Sequence, residues 1–187
     1  KAHARDFMTS VGIPSPAYGV FEDQLSAITF IHEFGKPVVV KASGLAAGKG
    51  VLVCDTVDEA IDAVYQIMAD KAFGAAGDKV VIEERLIGDE FSVLAFCDGE
   101  IAIPMMVARD HKRALDGDEG LNTGGMGAYA PATDITSDEI HDVVNRILQP
   151  TVSAMKACGT PFKGILYAGL MRSDSGIKVI EFNCRFG

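Results

Sequence analysis

The pattern of apolar and polar positions in the first half of the chain predicts one compact α+β module. Four runs rich in β-branched or aromatic residues predict strands, at residues 18–21, 37–42, 51–54 and 79–84. Apolar residues at helical spacing predict a helix that ends at Gly35, and the capping box of Thr56 and Glu59 begins another. We therefore expect residues 17–87 to form one unit, preceded by a helix over residues 1–11.

The second half of the chain predicts two β-hairpins and one long helix around a segment without periodicity. The strands of these hairpins are expected at residues 91–97, 101–108, 164–172 and 177–183. The capping box of Thr136 and Glu139 begins a helix that continues to about residue 157, with a kink at Pro150. Residues 109–128 are polar and glycine-rich, so we expect a loop there. Because loops of about 20 residues are uncommon in compact domains unless functional, this segment is a candidate active-site loop.

Composition and charge exclude several classes of protein. The 187 residues include 26 acidic and 17 basic side chains, and the formal net charge of −9 disfavours a broad nucleic-acid surface. No apolar run approaches the roughly 20 residues that a membrane span needs, and the first residues do not resemble a signal peptide. The four cysteines lie far apart, which favours free thiols over a disulfide framework or a zinc site. We expect a cytoplasmic protein that binds neither nucleic acid nor membranes.

The strongest chemical signal is a lysine- and glycine-rich turn at residues 41–50, directly after a predicted strand. Lys41 and Lys49 offer positive charge to phosphate oxygens. Small residues in the turn let backbone N–H groups approach an anion closely, and the candidates are Ser43, Gly44, Gly48 and Gly50. The turn is not a Walker A loop, because Gly50 stands where Ser or Thr would hold magnesium and a strand follows. A plain flexible hairpin turn is the alternative.

A second signal is the run of residues 181–183 on the last predicted strand. Period-two alternation puts Glu181 and Asn183 on one face and Phe182 on the other. Arg185, two residues further, continues the first face. Such oxygen ligands suit Mg²⁺, which takes one or two protein carboxylates together with phosphate oxygens and water. A solvated strand face is the alternative.

Two further segments carry candidate binding residues. At residues 81–90 the chain crosses between the predicted units, where backbone groups can pair with an adenine edge and a carboxylate can accept from ribose hydroxyls; an acidic linker is the alternative. The candidates there are Glu83, Glu84, Leu86 and Glu90. Residues 109–129 combine basic side chains with glycines and donors, which suits an anionic small molecule. A calcium loop is rejected, because Asn122 stands where the terminal Glu is needed.

Taken in order along the chain, these segments resemble the ATP-grasp superfamily. Several strings resemble the glycinamide ribonucleotide synthetase family within it, namely residues 40–50, 110–113, 122–129, 164–170 and 181–187. The resemblance implies an α+β, ATP-grasp fold, in which two α+β modules clamp ATP between antiparallel sheets. It also implies a lid over residues 17–87 and a body made of residues 1–16 and 88–187, with N- and C-terminal domains of the parent protein outside the chain.

The resemblance also implies a reaction. Members of that family join glycine to 5-phosphoribosylamine in purine biosynthesis, and ATP becomes ADP and phosphate through a glycyl phosphate. The implied cofactors are ATP and Mg²⁺ or Mn²⁺, and the implied partners are the two small-molecule substrates. Residues 71–77 resemble the version that animals fuse to other purine-pathway enzymes. We expect the chain by itself to bind nucleotide weakly at best and not to turn over.

The same resemblance implies residue roles. Contacts to the triphosphate are implied for Lys1, Lys41 and residues 43–50. Contacts to adenine and ribose are implied for Glu84, Leu86 and Glu90. Metal binding is implied for Glu181 and Asn183, and contacts to the acyl phosphate and the substrates for Asp110, Lys112, Asn122, Thr123 and Arg185.

One departure from the family pattern and two alternatives remain. Many ATP-grasp enzymes carry a further metal-binding carboxylate on the strand that corresponds to residues 164–172, where this chain has apolar or neutral side chains and Arg172. One alternative is a different ATP-grasp carboxylate–amine ligase, which a substrate panel would separate. The other is a nucleotide-binding module without catalysis, against which MgATP binding that Lys41→Ala abolishes would argue.

Overall fold

The computed structural model describes residues 1–46, 50–117 and 119–186. The chain divides into two units: Lys1–Asp6 with Pro16–Leu86, and Phe7–Ser15 with Ile87–Gly187. Helix α1 (Ala2–Ser10) therefore begins in the first unit and ends in the second. In the part of the chain that the structure describes, no helix is long and apolar enough to cross a membrane.

An antiparallel sheet forms the centre of the first unit. Its strands are β1 (Tyr18–Phe21), β2 (Val38–Ala42), β3 (Val51–Cys54) and β4 (Val80–Glu84). They lie in the order β1–β4–β2–β3, so the predicted β2–β3 hairpin is confirmed. Helices α2 (Gln24–Phe34) and α3 (Val57–Val64) pack against this sheet, and residues 65–69 extend α3 as a π-helical turn.

The helices of the first unit begin and end where the sequence provides capping groups. Asp23 accepts the Ser26 N–H at 2.8 Å at the start of α2, and Gly35 ends that helix with a φ of 60°. Thr56 and Glu59 form the predicted reciprocal capping box of α3. The apolar faces of sheet and helices share one core, whose fully buried side chains include Ile31, Val40, Val64, Ile67 and Ile82.

The second unit contains an antiparallel sheet, a separate hairpin and two helices. Its strands are β5 (Asp89–Asp98), β6 (Ala102–Pro104), β7 (Arg109–Leu115), β8 (Glu119–Tyr129), β9 (Lys163–Ser173) and β10 (Gly176–Asn183). The sheet has the order β10–β9–β5–β6, and β7 pairs with β8. The helices are α4 (Ser137–Val143) and α5 (Gln149–Ala157).

Alternation along the strands separates the two faces of the larger sheet in this unit. One face packs into the core with α4 and α5, through side chains that include Phe91, Val93, Ala168, Leu170 and Val179. The intervening positions share the opposite face, and they include Ser92, Leu94, Tyr167, Glu181 and Asn183. A bulge between Val179 and Glu181 preserves this separation on β10.

The expectation of a loop over residues 109–128 is wrong, because this segment forms the β7–β8 hairpin. Gly117, with a φ of 74°, follows Asp116 in the turn between the strands. An Asp-Gly pair is a favoured hairpin turn, so a local signal was present. The strands were hidden because exposed positions such as His111, Ala114 and Met126 impose no apolar alternation.

Two further boundaries differ from or refine the sequence predictions. The strand expected at residues 101–108 is shorter: β6 ends at Pro104, and pairing with β5 returns only as an isolated bridge between Ser92 and Ala108, one residue out of register. The long helix changes its hydrogen-bond pattern where a kink is predicted: residues 144–148 form a π-helical turn between α4 and α5. Pro150 lacks the N–H that a regular helix would use at that point.

A partly exposed group of ion pairs surrounds Arg172 at the end of β9. Its guanidinium lies 2.8 Å from Asp89, 2.9 Å from Asp134 and 3.4 Å from Glu139. Arg109 reaches the same carboxylate of Asp134 at 2.8 Å. We call these five side chains the Arg172 network.

Candidate functional site

Lys41 lies near the end of β2 and is held by an ion pair inside the first unit. Its Nζ lies 2.6 Å from Oε2 of Glu83 on the neighbouring strand β4. Glu83 also accepts hydrogen bonds from Nε and Nη2 of Arg5 in α1, each at 2.7 Å. All three residues are buried: Arg5 is 2% exposed, Lys41 is 6% exposed and Glu83 is 3% exposed. We call these three side chains the buried cluster.

The buried cluster determines the ionisation of Glu83. Burial by itself raises the pKa of this carboxyl, but the charges and hydrogen bonds of Lys41 and Arg5 outweigh burial and hold the pKa below its usual value. Glu83 is therefore ionised at neutral pH and gives Lys41 a fixed anionic partner. Its carboxylate is engaged by two cations, so any contribution of Glu83 to a ligand acts through them.

Lys1 supports the backbone of the turn that follows β2. Its Nζ donates to the carbonyl oxygens of Ala42 at 2.7 Å and Gly44 at 2.8 Å. Lys1 and Arg5 are four residues apart at the start of α1, which places their side chains on one side of the helix. Any contact from Lys1 to a phosphate would have to share or replace these hydrogen bonds to the turn.

Gly44 and Ser43 use their N–H groups within the first unit. The Gly44 N–H donates to the Ala76 carbonyl at 3.0 Å, and the Ser43 N–H donates to the Lys79 carbonyl at 2.8 Å. A Cβ at Gly44 would lie 2.6 Å from the Ala76 Cα, which no side chain tolerates. The packing of the turn therefore requires glycine here, and these two N–H groups are not available as phosphate donors in this conformation.

The rest of the turn is only partly described. Gly48 and Lys49, both expected to contact phosphate, lie outside the described residues. The carbonyl of Gly50 accepts the Ala42 N–H at 2.9 Å and so closes the turn. A Cβ at Gly50 would lie 2.7 Å from the Cβ of Ala46, so close packing requires glycine at this position as well.

The candidate adenine and ribose contacts lie on β4, after it, and on β5. Glu84 exchanges hydrogen bonds with Ala17: its N–H donates to the Ala17 carbonyl at 2.8 Å, and its carboxylate accepts the Ala17 N–H at 3.3 Å. Over residues 1–46, 50–117 and 119–186, the Leu86 N–H has no hydrogen-bond partner, so it can donate to a ligand atom. Glu90 lies on β5 in the second unit, opposite Met171.

Glu181 and Asn183 lie on one face of β10, so the predicted alternation is confirmed. The Asn183 amide lies 3.3 Å from Oε1 of Glu181, and Phe182 packs against the core on the other face. The expectation that Arg185 continues the first face is wrong, because β10 ends at Asn183. Arg185 lies in the bend beyond the strand, where its guanidinium donates to the Phe186 carbonyl at 2.8 Å.

The donor atoms at this strand face fit a divalent cation that also takes ligands from elsewhere. A carboxylate and an amide oxygen are ligands that a hard cation accepts, and Glu181 is exposed. Gly169, opposite Glu181, leaves room above the sheet: a Cβ there would lie 3.3 Å from the Glu181 Cγ. Among the described residues, no group of three or more His, Cys, Asp or Glu side chains could hold a metal by itself. Phosphate oxygens and water would have to complete the shell.

A cavity of about 430 Å³ lies within the second unit, beside the hairpin β7–β8. Its lining includes Ser92, Asp110, Gly127 and Tyr167. The hydroxyl oxygens of Ser92 and Tyr167 lie 2.6 Å apart and are buried in the wall. Tyr167 is paired with Asn183 across β9 and β10, so the cavity lies on the sheet face that carries the candidate metal ligands.

The remaining substrate candidates belong to the hairpin. Asp110 lines the cavity, and the hydroxyl of Thr123 accepts the Gly125 N–H at 3.0 Å. The side chains of Lys112 and Asn122 lie outside the described part of the structure. The cavity therefore brings Asp110, but none of the other described candidates for substrate contact, into its wall.

No motif of the sequence marks Arg5, Ser92 or Tyr167, which the structure places at the candidate sites. Arg5 lies in a predicted helix without a motif, and its partner Glu83 is 78 positions away. Ser92 and Tyr167 are 75 positions apart, although each occupies a polar position on an otherwise apolar strand. The alternation of polar and apolar positions along each strand could have shown that Ser92 and Tyr167 face away from the core. It could not have shown that their hydroxyl groups meet.

The two antiparallel α+β units, with a buried lysine before a turn and a carboxylate–amide pair on a strand, define an ATP-grasp domain. The class is broad and hosts several chemistries, so the fold alone does not select a substrate. The chain belongs to the family described as phosphoribosylglycinamide synthetase, ATP-grasp (A) domain, whose family model matches residues 1–187.

Relatives of known name support this membership. The chain is 54% identical to a phosphoribosylamine–glycine ligase from Xylella fastidiosa, covering 100% of this chain and 44% of the relative. It is 52% identical to the human trifunctional purine biosynthetic protein adenosine-3, covering 100% of this chain and 19% of the relative. The crystal structure of a phosphoribosylamine–glycine ligase from Thermotoga maritima matches with a TM-score of 0.92 and 35% identity, over 100% of this chain and 47% of that one. The chain spans less than half the length of these relatives.

Proposed function

We propose that this chain is the ATP-grasp domain of an ATP-dependent carbon–nitrogen ligase of purine biosynthesis. The enzyme joins glycine to 5-phosphoribosylamine and gives glycinamide ribonucleotide, ADP and phosphate. The observation that carries the proposal is the match of all 187 residues to the phosphoribosylglycinamide synthetase family. The curated relatives cited above, named phosphoribosylamine–glycine ligase or trifunctional purine biosynthetic protein, support the same activity.

The chemistry explains why the domain needs both cations and carboxylates. The carboxylate of glycine is a poor electrophile, so one oxygen first takes the γ-phosphoryl group of ATP and forms glycyl phosphate. The amine of phosphoribosylamine then attacks the carbonyl carbon, and phosphate leaves. The protein must neutralise the triphosphate, align the carboxylate with the γ-phosphorus and exclude water from the acyl phosphate.

In the first unit we assign the triphosphate contacts to Lys1 and Lys41. The support for Lys41 is its burial and its fixed position beside Glu83, directly before the turn. The N–H groups of Ser43 and Gly44 are engaged within the unit, so the donors of the turn are assigned to residues after Gly44, including Gly48, Lys49 and Gly50.

We assign the base and the sugar of ATP to the end of the first unit and the start of β5. The Leu86 N–H has no partner in the described structure, which suits a hydrogen bond to an acceptor on adenine. The Glu84 carbonyl would accept from the adenine amino group, and the Glu90 carboxylate would accept from the ribose hydroxyls. From the resemblance to ATP-grasp enzymes we also propose that residues 17–87 act as a lid over the nucleotide.

In the second unit we assign the divalent cation, Mg²⁺ or Mn²⁺, to Glu181 and Asn183. The support is the pairing of their oxygen-bearing side chains on one exposed strand face. When bound, the cation would neutralise charge on the phosphate oxygens. The absence of a further carboxylate on β9, which carries Arg172 instead, means that this chain offers few protein ligands.

We assign the substrates to the cavity in the second unit and to the hairpin beside it. A volume of about 430 Å³ is ample for glycine together with part of a sugar phosphate. The Asp110 carboxylate in its wall can hold an ammonium group. The remaining contacts to the acyl phosphate and the substrates are assigned to Lys112, Asn122, Thr123 and Arg185.

The setting of the enzyme is part of the same proposal. We place it in the cytoplasm, where the free thiols of the four cysteines would persist. Burial raises the pKa of the Cys54 thiol to about 11, so this thiol is inert. The human relative is a trifunctional protein, which supports fusion of this domain to other purine-pathway enzymes in its parent.

The test follows ADP release by the full-length enzyme, with MgATP and glycine, in the presence and absence of phosphoribosylamine. We expect release to require both substrates and to fall about 100-fold or more in Glu181→Ala. Glu100→Ala is the matched control, because Glu100 is an exposed carboxylate of the same unit, paired with Lys156. This variant should retain the wild-type rate.

Two outcomes would contradict parts of the proposal. Turnover with another carboxylate, but not with glycine, would support an ATP-grasp ligase but contradict its assignment to purine biosynthesis. Binding of MgATP without turnover of any carboxylate would indicate a nucleotide-binding module without catalysis.

Replacement of Mg²⁺ by Mn²⁺ in the same assay would identify the preferred cation.

A further inference from the structure

We propose that Arg5 is a positioning residue for nucleotide binding: acting through Glu83, it holds Lys41 where Lys41 meets the phosphates. The inference rests on the proposed contact between Lys41 and the nucleotide. Arg5 belongs to no motif of the sequence and lies on a different element from the lysine that it supports.

The geometry of Glu83 links the two cations. Arg5 binds both carboxylate oxygens, from Nε to Oε1 and from Nη2 to Oε2, each at 2.7 Å. A bidentate guanidinium fixes the plane of a carboxylate, because its donors form a rigid fork. Oε2 of Glu83 therefore has a defined position, and the Nζ of Lys41 is anchored to this oxygen at 2.6 Å.

The burial of the three side chains makes this anchoring relevant to binding. A lysine side chain has a flexible four-carbon stem. If a ligand has to order this stem when it binds, the lost conformational entropy lowers the affinity. Lys41 is 6% exposed and already held by Glu83, so a nucleotide would meet a pre-ordered ammonium group. An ammonium group has three donors, so a lysine can contact a carboxylate and phosphate oxygens at the same time.

Helix α1 also supports the turn that follows Lys41. Lys1, four residues before Arg5, donates to the carbonyl oxygens of Ala42 and Gly44. The start of α1 thus holds the lysine through Arg5 and the adjoining backbone through Lys1. The side chains of the buried cluster carry one net positive charge, from two cations and one carboxylate, which is the sign that attracts phosphate.

The test measures MgADP binding to the full-length enzyme by calorimetry in a double-mutant cycle. We expect Arg5→Met to raise the Kd for MgADP about tenfold, which corresponds to about 1.4 kcal/mol. Arg5→Lys should recover part of the affinity, because lysine restores one charged hydrogen bond to Glu83. In the Lys41→Met background, Arg5→Met should cause no further loss, because its effect passes through Lys41.

Ile67→Val serves as the control for general destabilisation of the first unit. Ile67 is fully buried in the core of that unit, so this variant should lower the unfolding temperature and leave the Kd for MgADP unchanged. A merely structural Arg5 would behave in the same way as Ile67. Its substitution would then change thermal stability alone.

Three results would overturn the inference. The first is an unchanged Kd in Arg5→Met, and the second is an equal loss of affinity with and without Lys41. The third applies if Arg5→Met does not fold: an Arg5→Lys variant with wild-type affinity would then reject the role. Failure of the proposed function is distinct, because it would show as normal MgADP binding by the wild-type enzyme without glycine-dependent turnover.

Discussion

The buried cluster of the first unit and the Arg172 network of the second use the same chemical groups in different surroundings. The side chains of Arg5 and Glu83 are each 3% exposed. Arg172 is 27% exposed, and its partner Asp89 is 57% exposed. Among the ion pairs of the described residues, Arg172 contacts three carboxylates and Arg5 contacts the one of Glu83.

The difference shows that exposure, more than the number of ion pairs, determines what such a group contributes. Water and salt screen the Arg172 network, so each of its pairs gains little over the solvated ions. In the buried cluster, each charge has lost its hydration. Removing one partner leaves the desolvation free energy of the other charge uncompensated. The cluster with fewer pairs should therefore respond more strongly to substitution.

The largest effect is expected from Glu83→Gln, which leaves Arg5 and Lys41 buried without their anionic partner. We expect the first unit to lose about 3–5 kcal/mol of stability, as is typical when one member of a buried ion pair is removed. Urea denaturation with hydrogen exchange of strand β4 would measure the loss. Glu22→Gln is the control, because Glu22 pairs with Lys79 and is 73% exposed. A loss similar to that of the control would refute the comparison.

The second prediction concerns the pH dependence of the stability difference between the wild type and Glu83→Gln. The pKa of Glu83 is lower in the folded protein than its usual value, so the folded state binds fewer protons than the unfolded chain. Its contribution to stability is therefore complete above the unfolded pKa and is lost as the pH falls through the folded pKa. Denaturation midpoints at a series of acidic pH values should show the gap between wild type and Glu83→Gln narrowing. A gap that widens toward acid would contradict the assigned direction.

A smaller effect is expected from Arg172→Met, despite its three ion pairs. We expect a loss of about 1 kcal/mol or less, and a smaller loss at about 1 M salt, because the network is partly exposed. Urea denaturation at low and high ionic strength would measure both values. A loss as large as that of Glu83→Gln, and independent of salt, would show that the network behaves as a buried cluster.

The smallest effect is expected from Lys156→Met. Lys156 lies 2.6 Å from Glu100, but the two side chains are 53% and 67% exposed. We expect a change of less than about 0.5 kcal/mol, because side-chain ordering offsets most of the attraction at such a site. The same denaturation assay applies. A loss above about 1 kcal/mol would show that an ion pair with a short distance stabilises the protein even when both side chains are exposed.

Much of the local fold could be predicted, because its signals lie within a few residues. The capping boxes at Thr56 and Thr136 and the helix end at Gly35 follow from short-range hydrogen bonds and backbone preferences. The β7–β8 hairpin escaped prediction because its exposed strands lack alternation. Its Asp116-Gly117 turn was the usable signal.

The candidate site was predictable only where neighbours in sequence share a face. Glu181 and Asn183 could be placed together, because alternation along one strand determines their direction. The hydrogen bonds of the Ser43 and Gly44 N–H groups could not be predicted, because their partners lie in a distant segment at Lys79 and Ala76. Arg185 was misjudged because alternation was carried past the end of its strand.

The sequence by itself determined where helices begin, which residues turn the chain and which family the strings resemble, because these depend on contiguous residues. Only the tertiary structure decided which side chains meet. Lys41 reaches Glu83 because β2 lies beside β4 in a particular register, and Arg5 reaches it because α1 closes a separation of 78 positions. Pairings of this kind depend on the packing of whole elements, and no local pattern records them.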